Sequence, residues 1–160
     1  MMSQRREKTV QDSYTEQVHI LSPADLNGYQ RLFGGKLMEW IDIVSGVVAR
    51  RHSECNVTTA VVDTLQFKGP AYTNETIVLT GKLTYVGRTS MEVCVTTYVE
   101  ELNGKKRLIN QAYSVMVALD EHERPTEVPG LILTTDEEKQ EWDAALKRVT
   151  VRKMRDAKNF

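Results

Sequence analysis

Apolar side chains in residues 34–52 recur with the period of an α-helix. At 1.5 Å per residue, the pattern predicts a helix about 27 Å long. Asp42 falls on a second face, whose other members are mostly small. Because only a narrow strip is clearly polar, we expect the helix to be largely enclosed by the rest of the fold. Four side chains form its main stripe at the i, i+4, i+7 and i+11 positions: Leu37, Ile41, Val44 and Val48.

From residue 57 onward the period changes to two. Four alternating or β-branched runs predict strands, and a looser alternation before the helix predicts one more. Asn103-Gly104, between two of these runs, predicts a hairpin. The apolar end of the last run, residues 115–119, indicates a strand that is central or buried on both faces. The predicted strands are residues 14–21, 57–67, 76–86, 90–101 and 107–119.

A second helix is predicted near the C-terminus. Thr135 and Glu138 have the spacing of a capping box, which indicates a helix from Asp136 to about Val149. The layout of one strand, one enclosed helix and four antiparallel strands predicts an α+β fold with a curved sheet around the central helix. The second helix has a thin apolar stripe: Trp142, Ala145, Leu146 and Val149.

Length and composition indicate a single globular domain. We expect a flexible arm at residues 1–12, one domain at residues 13–150 and a basic tail at residues 151–160. The 160 residues include 21 basic and 22 acidic side chains, a balance that disfavours nucleic-acid binding. No apolar run approaches the roughly 20 residues of a bilayer span, and no secretory signal is visible, so we expect no membrane insertion. Cys55 and Cys94 lie far apart in the sequence and have no CxxC spacing, which indicates reduced thiols. We therefore expect a cytoplasmic protein.

Asp42 is the carboxylate best placed for chemistry. A carboxylate on an otherwise apolar or small helix face costs free energy unless it is paired or hydrogen-bonded. An enclosed aspartate of this kind suits general-base or nucleophilic catalysis. The structural alternative is an aspartate at the rim of the helix, solvated or capping a neighbouring loop. The residues alone leave both explanations open.

The loop before the first helix offers hydrogen-bond donors. Asn27 can donate through its side-chain amide to a carbonyl oxygen. The amides of Gly34 and Gly35 lie at a helix start, where free N–H groups can bind a developing oxyanion. Equally, Asn27-Gly28 can form a plain turn, and the two glycines can give room for helix–sheet packing. On the residues alone the structural explanation is the commoner one.

Arg88 and Ser90 lie in a turn that joins two predicted strands. Arg88 and the neighbouring hydroxyls could bind a phosphate, and Lys68 and the basic tail could serve the same ligand. A tight turn with solvated cations is the commoner explanation. The three histidines are scattered, so a triad hydrolase is poorly supported. The sequence has no phosphate-binding glycine loop and no metal-ligand spacing.

Several motifs occur in a family-specific order. They are Asp25-Leu26-Asn27, Phe33–Met38, Trp40-Ile41-Asp42, Phe67–Pro70, Val86–Val93 and Val117–Asp120. In these motifs the chain resembles the hotdog-fold acyl-CoA thioesterases of the cytosolic acyl-CoA hydrolase type, over roughly residues 15–150. The resemblance implies a hotdog fold, in which an antiparallel sheet of about five strands wraps one long central helix.

The resemblance also implies roles for single residues. It makes Asp42 the catalytic carboxylate, acting as general base on water or as nucleophile. It makes Asn27 the residue that orients water or polarises the thioester carbonyl, with the Gly34 and Gly35 amides close by. The resulting activity is the hydrolysis of acyl-CoA to a fatty acid and CoA.

Three further positions match the family pattern. Thr59 matches a polar active-site position, and Arg88 and Ser90 match the region that receives the CoA nucleotide. The chain departs from the pattern at Gln30, where the family often has glycine. The absence of a His/Glu pair in the helix region argues against the dehydratase and hydratase branches of this fold.

The family places Asn27 and Asp42 of different subunits in one site. The resemblance therefore implies a homodimer as the smallest active unit and a homohexamer, a trimer of dimers, as the usual assembly. We expect no cofactor, because the thioester carbonyl is already activated and thiolate is a good leaving group. Two alternatives remain: a non-catalytic acyl-CoA-binding sensor that uses the same pocket, and a structural oligomer with Asp42 paired across a subunit boundary.

Overall fold

A computed structural model of the chain describes residues 4–159. Seven strands and two α-helices follow one another, with a short 3₁₀ helix at Pro23–Asp25 in the loop before the first α-helix. No helix in this range is both long and apolar enough to cross a bilayer. The elements are β1 (Glu7–Thr9), β2 (Thr15–Ile20), α1 (Gly34–Ser53), β3 (Asn56–Phe67), β4 (Thr76–Val86), β5 (Ser90–Glu100), β6 (Lys106–Leu119), β7 (Gly130–Ile132) and α2 (Asp136–Asn159).

Five strands form one antiparallel sheet in the order β2-β4-β5-β6-β3. The predicted layout is confirmed, and β6 is an inner strand, as its apolar end indicated. The hairpin between β5 and β6 turns at Asn103-Gly104, where Gly104 has a φ of 87°. Only glycine adopts this conformation without strain.

Helix α1 packs against one face of the sheet. All four side chains of its predicted stripe are at most 1% exposed. Gly81 on β4 permits this close approach, since a Cβ at that position would lie 2.5 Å from Val44 and 3.0 Å from Val48. The apolar stripe of α1 and the inward side chains of the inner strands therefore form the core.

The other flank of α1 is open, so the prediction of an enclosed helix is wrong on that side. Asp42 is exposed, and so are Met38 and Ile43, each at 46%. Strand β3, which lies beside this flank, is an edge strand, and most of its residues are exposed. A single chain therefore leaves a long strand edge and part of its central helix uncovered.

Helix α2 packs on the opposite face of the sheet through a charged cluster. Glu92, only 1% exposed, accepts hydrogen bonds from Arg148 (2.8 Å) and pairs with Arg152 (2.9 Å). Thr84 also donates to Glu92, at 2.6 Å. The guanidinium of Arg148 lies 3.8 Å from the centre of the Tyr113 ring. Burial opposes the charge on Arg148, but the hydrogen bond and charge of Glu92 outweigh it and raise the pKa of the guanidinium.

The chain ends differ from their predictions. Residues 7–9, expected in a flexible arm, form β1 and pair in parallel with β7. Helix α2 continues to Asn159 through the residues expected as a tail, so the predicted end near Val149 came too early. Leu146, a member of the predicted thin apolar stripe, is 43% exposed.

Candidate active site

The Asn27 loop is closed by the side chain of Asn27 itself. Its Oδ1 atom accepts the backbone N–H groups of Tyr29 (2.9 Å) and Arg31 (3.3 Å). Its backbone carbonyl accepts the N–H of Gln30 at 3.0 Å. Because Oδ1 accepts these two N–H groups, the other atom of the side-chain amide is Nδ2. Nδ2 has no acceptor within residues 4–159. Asn27 therefore presents two N–H donors in an exposed loop.

Gln30 keeps the loop in a conformation that glycine would favour. Its φ is 62°, in the left-handed region, where a side chain costs about 1–2 kcal/mol. At the position where the family often has glycine, this chain therefore combines a left-handed backbone with a glutamine side chain. The hydrogen bonds of Asn27 on both sides of Gln30 hold the strained residue.

The N-terminus of α1 has open backbone donors. Phe33 is the N-cap residue, and its side chain makes no capping hydrogen bond. The first hydrogen bond of the helix runs from the Leu37 N–H to the Phe33 carbonyl, at 3.1 Å. In the described part of the chain, the N–H groups of Gly34 and Gly35 have no acceptor. A Cβ on Gly35 would lie 2.6 Å from the Phe33 ring, so a larger residue would displace that ring. The helix start can therefore bind an anionic oxygen.

Asp42 and Thr59 form the second half of the site. The Thr59 hydroxyl, on β3, donates to Oδ1 of Asp42 at 2.6 Å. Both residues are exposed, so the aspartate lies at an open helix flank and not in a sealed interior. The bond fixes Oδ1, and Oδ2 has no hydrogen-bond partner among the described residues. Of the two explanations that the sequence left open, the single chain shows the rim position.

The two halves of the site do not meet within one chain. Gly35 and Asp42 lie on the same side of α1, seven residues apart, which is about 10 Å along the axis. The structure thus brings Thr59 to Asp42 and places Asn27 on the loop that leads to the glycines. No hydrogen bond joins Asn27 to Asp42 in the described range.

Arg88 and Ser90 line a groove of about 650 Å³ between the sheet and α2. Ala60 and Val61, which directly follow Thr59 in β3, form part of its lining. The groove lies on the α2 face of the sheet, whereas Thr59, which pairs with the core residue Met116, holds Asp42 on the α1 face. Lys68, considered for the same ligand, is not among the lining residues.

The C-terminal residues do line this groove. Arg152, Lys153 and Arg155 face it from α2, and Tyr85 adds an aromatic surface from β4. The sequence indicated only a basic tail, because positions 148 and 152 of the buried helix face are arginines and break the apolar stripe. Tyr85 carried no signal beyond its place in an alternating strand. Within residues 4–159, no cluster of three or more metal-binding side chains is found.

Comparison with known proteins identifies the family. The sequence profile of the thioesterase superfamily matches residues 29–104. The chain is 36% identical to YkhA of Bacillus subtilis, an uncharacterized acyl-CoA thioester hydrolase. The aligned region of 134 residues covers 83% of this chain and 78% of YkhA. The chain belongs to the thioesterase superfamily. It is also 30% identical to the cytosolic acyl coenzyme A thioester hydrolase of Rattus norvegicus. This match covers 84% of the chain and 36% of the rat protein.

Solved structures of this superfamily share the fold. An apo-hexameric acyl-CoA thioesterase superposes with a TM-score of 0.91 at 35% identity, over 95% of this chain and 98% of that one. The acyl-CoA hydrolase of Staphylococcus aureus, crystallised with butyryl coenzyme A, gives a TM-score of 0.90 at 33% identity, over 95% and 93%. These matches confirm the predicted hotdog fold.

Proposed function

We propose that the protein is an acyl-CoA thioesterase that hydrolyses acyl-CoA to a free fatty acid and CoA. The observation that carries the proposal is the Asp42 carboxylate, held by Thr59 on the open flank of α1. Support comes from membership of the thioesterase superfamily and from similarity to acyl-CoA hydrolases, one of them crystallised with butyryl coenzyme A.

The Oδ2 atom of Asp42, which Thr59 does not hold, starts the reaction. As a general base, it takes a proton from water while the water oxygen attacks the thioester carbonyl carbon. The C–S bond then breaks, and the CoA thiolate recovers a proton from Asp42. As a nucleophile, the same oxygen would instead attack the carbonyl carbon and expel the CoA thiolate, which leaves an anhydride between Asp42 and the acyl group. Water then cleaves the anhydride, which releases the fatty acid, frees the carboxylate and supplies the proton that the thiolate takes up. Both routes use the same carboxylate, and neither needs a metal or a cofactor.

The negative charge that develops on the thioester oxygen needs donors. We assign this role to the Nδ2 group of Asn27 and to the Gly34 and Gly35 amides, which are open in the described chain. Such donors strengthen their hydrogen bonds as the carbonyl becomes an oxyanion. They therefore lower the barrier to attack.

We infer that two copies of the chain build each site. Because about 10 Å of helix separates Asp42 from the open amides of its own chain, Asp42 of one protomer would meet the Asn27 loop and helix start of another. The uncovered flank supports this pairing, since Val61 and Val62 on the β3 edge are each 40% exposed. A homodimer is then the smallest active unit. We propose a homohexamer, as a trimer of dimers, on the similarity to an apo-hexameric thioesterase.

The groove on the α2 face is the candidate site for the nucleotide part of the substrate. We propose that Arg88 and Ser90 bind the CoA nucleotide there, because an arginine and a hydroxyl suit phosphate oxygens. The proposed compartment is the cytoplasm, in line with the isolated cysteines and with the cytosolic relative.

Release of free thiol from acyl-CoAs of different chain lengths tests the function. Asp42→Asn removes the base and should lower kcat by about 10²- to 10⁴-fold. Thr59→Val loses the hydrogen bond that orients the carboxylate and should lower kcat about tenfold, whereas Thr59→Ser, which keeps a hydroxyl, should retain most activity. Full activity of Asp42→Asn would refute the assigned mechanism. Tight acyl-CoA binding by the unmodified protein without turnover would indicate the sensor.

A further inference from the structure

The groove has two basic sides. Arg88 belongs to the turn between β4 and β5, and Lys153 belongs to α2. Tyr85 and Val115 from the sheet add apolar surface to the lining. An anion that enters the groove thus meets cations from two separate elements and an apolar surface.

Most of the other charge in the groove is already compensated. Arg152 pairs with Glu92 at 2.9 Å, and Arg155 pairs with Asp63 at 3.1 Å. Asp156 also lines the groove. Neither Arg88 nor Lys153 forms a salt bridge within residues 4–159. These two cations are therefore available to a ligand.

The position of Lys153 is fixed by its neighbours on α2. Arg148 and Arg152 bind the buried carboxylate of Glu92, so the turn of helix that carries Lys153 is tied to the sheet. A cation on a fixed element loses less conformational freedom on binding than one on a loose tail. The helical C-terminus thereby becomes a wall of the groove.

We propose that Lys153 binds a phosphate group of the CoA nucleotide, across the groove from Arg88, and so selects thioesters that carry this nucleotide. The assignment rests on the proposed thioesterase function. The ligand class is an adenosine 3′,5′-bisphosphate, whose phosphates match a compact ammonium on one side and a planar guanidinium on the other. Lys153 does not touch the reacting atoms; its role is specificity.

The test compares two substrates with the same acyl group, acyl-CoA and acyl-pantetheine, which lacks the nucleotide. Lys153→Gln should raise KM for acyl-CoA about fivefold with kcat unchanged, as expected for loss of one exposed charge contact. KM for acyl-pantetheine should not change. 3′,5′-ADP should inhibit competitively against acyl-CoA, with a Ki that rises by the same factor. Lys147→Gln is the matched control, because Lys147 lies on the same helix outside the groove.

Two results would overturn the assignment: an unchanged KM for acyl-CoA in Lys153→Gln, or an equal rise for both substrates. If the unmodified protein hydrolyses neither substrate, the proposed function fails separately. Calorimetric titration with 3′,5′-ADP then tests the groove by itself. Binding that weakens in Lys153→Gln and not in Lys147→Gln supports the site, and the absence of binding removes it.

Discussion

His52 is a fully buried histidine at the C-terminal end of α1. Its Nε2–H donates to the Pro129 carbonyl at 2.7 Å, and its Nδ1 has no partner among the described residues. Burial lowers the pKa of His52, partly offset by the hydrogen bond to Pro129. Lys8 and Arg5 lower it further. The imidazole therefore favours the neutral form in the folded chain.

This lowered pKa makes stability depend on pH. Below the ordinary pKa of 6.5 the unfolded chain binds a proton that folded His52 resists, so the free energy of unfolding should fall as the pH is lowered from 7.5 to 5.5. His19, whose pKa is also lowered by burial, acts in the same direction. Urea unfolding at both pH values measures the effect. His52→Gln should reduce the pH dependence, and an unchanged dependence would contradict the assignment.

Single residues also show what the sequence could reveal of the site. Asp42 could be singled out because it is a carboxylate on a helix face of small residues. Its exposure could not be predicted, since the pattern along the helix does not show that β3 is an edge strand and leaves this flank open. Nor does the sequence show that Oδ1 of Asn27 is used inside its own loop, because that requires the left-handed backbone at Gln30.

At the scale of elements, α2 depends on its contact with Glu92. Replacing Glu92 by Gln keeps the shape of the side chain but leaves Arg148 without a counter-charge and Arg152 with only its longer contact to Asp63, at 3.5 Å. The free energy of unfolding should fall by about 3 kcal/mol, the lower end for a broken buried ion pair. Urea titration at one fixed protein concentration measures it.

A matched control for Glu92→Gln uses another ion pair of α2. Lys82 on β4 pairs with Glu141 at 2.9 Å, but both side chains are partly exposed. Lys82→Gln should therefore cost less than about 1 kcal/mol. If Glu92→Gln costs no more than Lys82→Gln, the buried carboxylate is not what holds the helix.

The same cluster explains why the end of α2 was hard to predict. The buried face of the helix continues from Ala145 through Arg148 and Arg152, so its second half has no apolar period. The sheet strands were easier, because alternation and turn residues set their limits locally: β4 runs over Thr76–Val86, as predicted. Strand β1 pairs with β7, more than a hundred residues away, and has no local signal.

At the scale of the whole molecule, the proposed shared site predicts complementation. Asn27→Ala and Asp42→Asn each impair both sites of their own homodimer. In a mixed dimer one site carries both changes and the other carries neither. With random pairing, half of the dimers are mixed and each has one intact site, so co-expression should restore about a quarter of the normal activity.

Differently tagged chains and two-step purification enrich the assemblies that contain both chains, and thiol release per chain measures their activity. Each mixed dimer should keep half of the normal activity, so the enriched fraction should exceed a quarter. The control pairs Asn27→Ala with a chain that carries both substitutions, a combination that leaves no intact site. Recovery in neither mixture would show that Asn27 and Asp42 of one chain serve the same site.

The long uncovered edge of β3 also affects the assembly of the newly synthesised chain. Until it meets another copy, the chain presents unpaired backbone groups beside apolar side chains such as Val61 and Val62. Assembly then competes with aggregation, and both depend on how many chains are present. Slow synthesis at reduced temperature, which lets pairing keep pace with translation, should give the best yield of this protein.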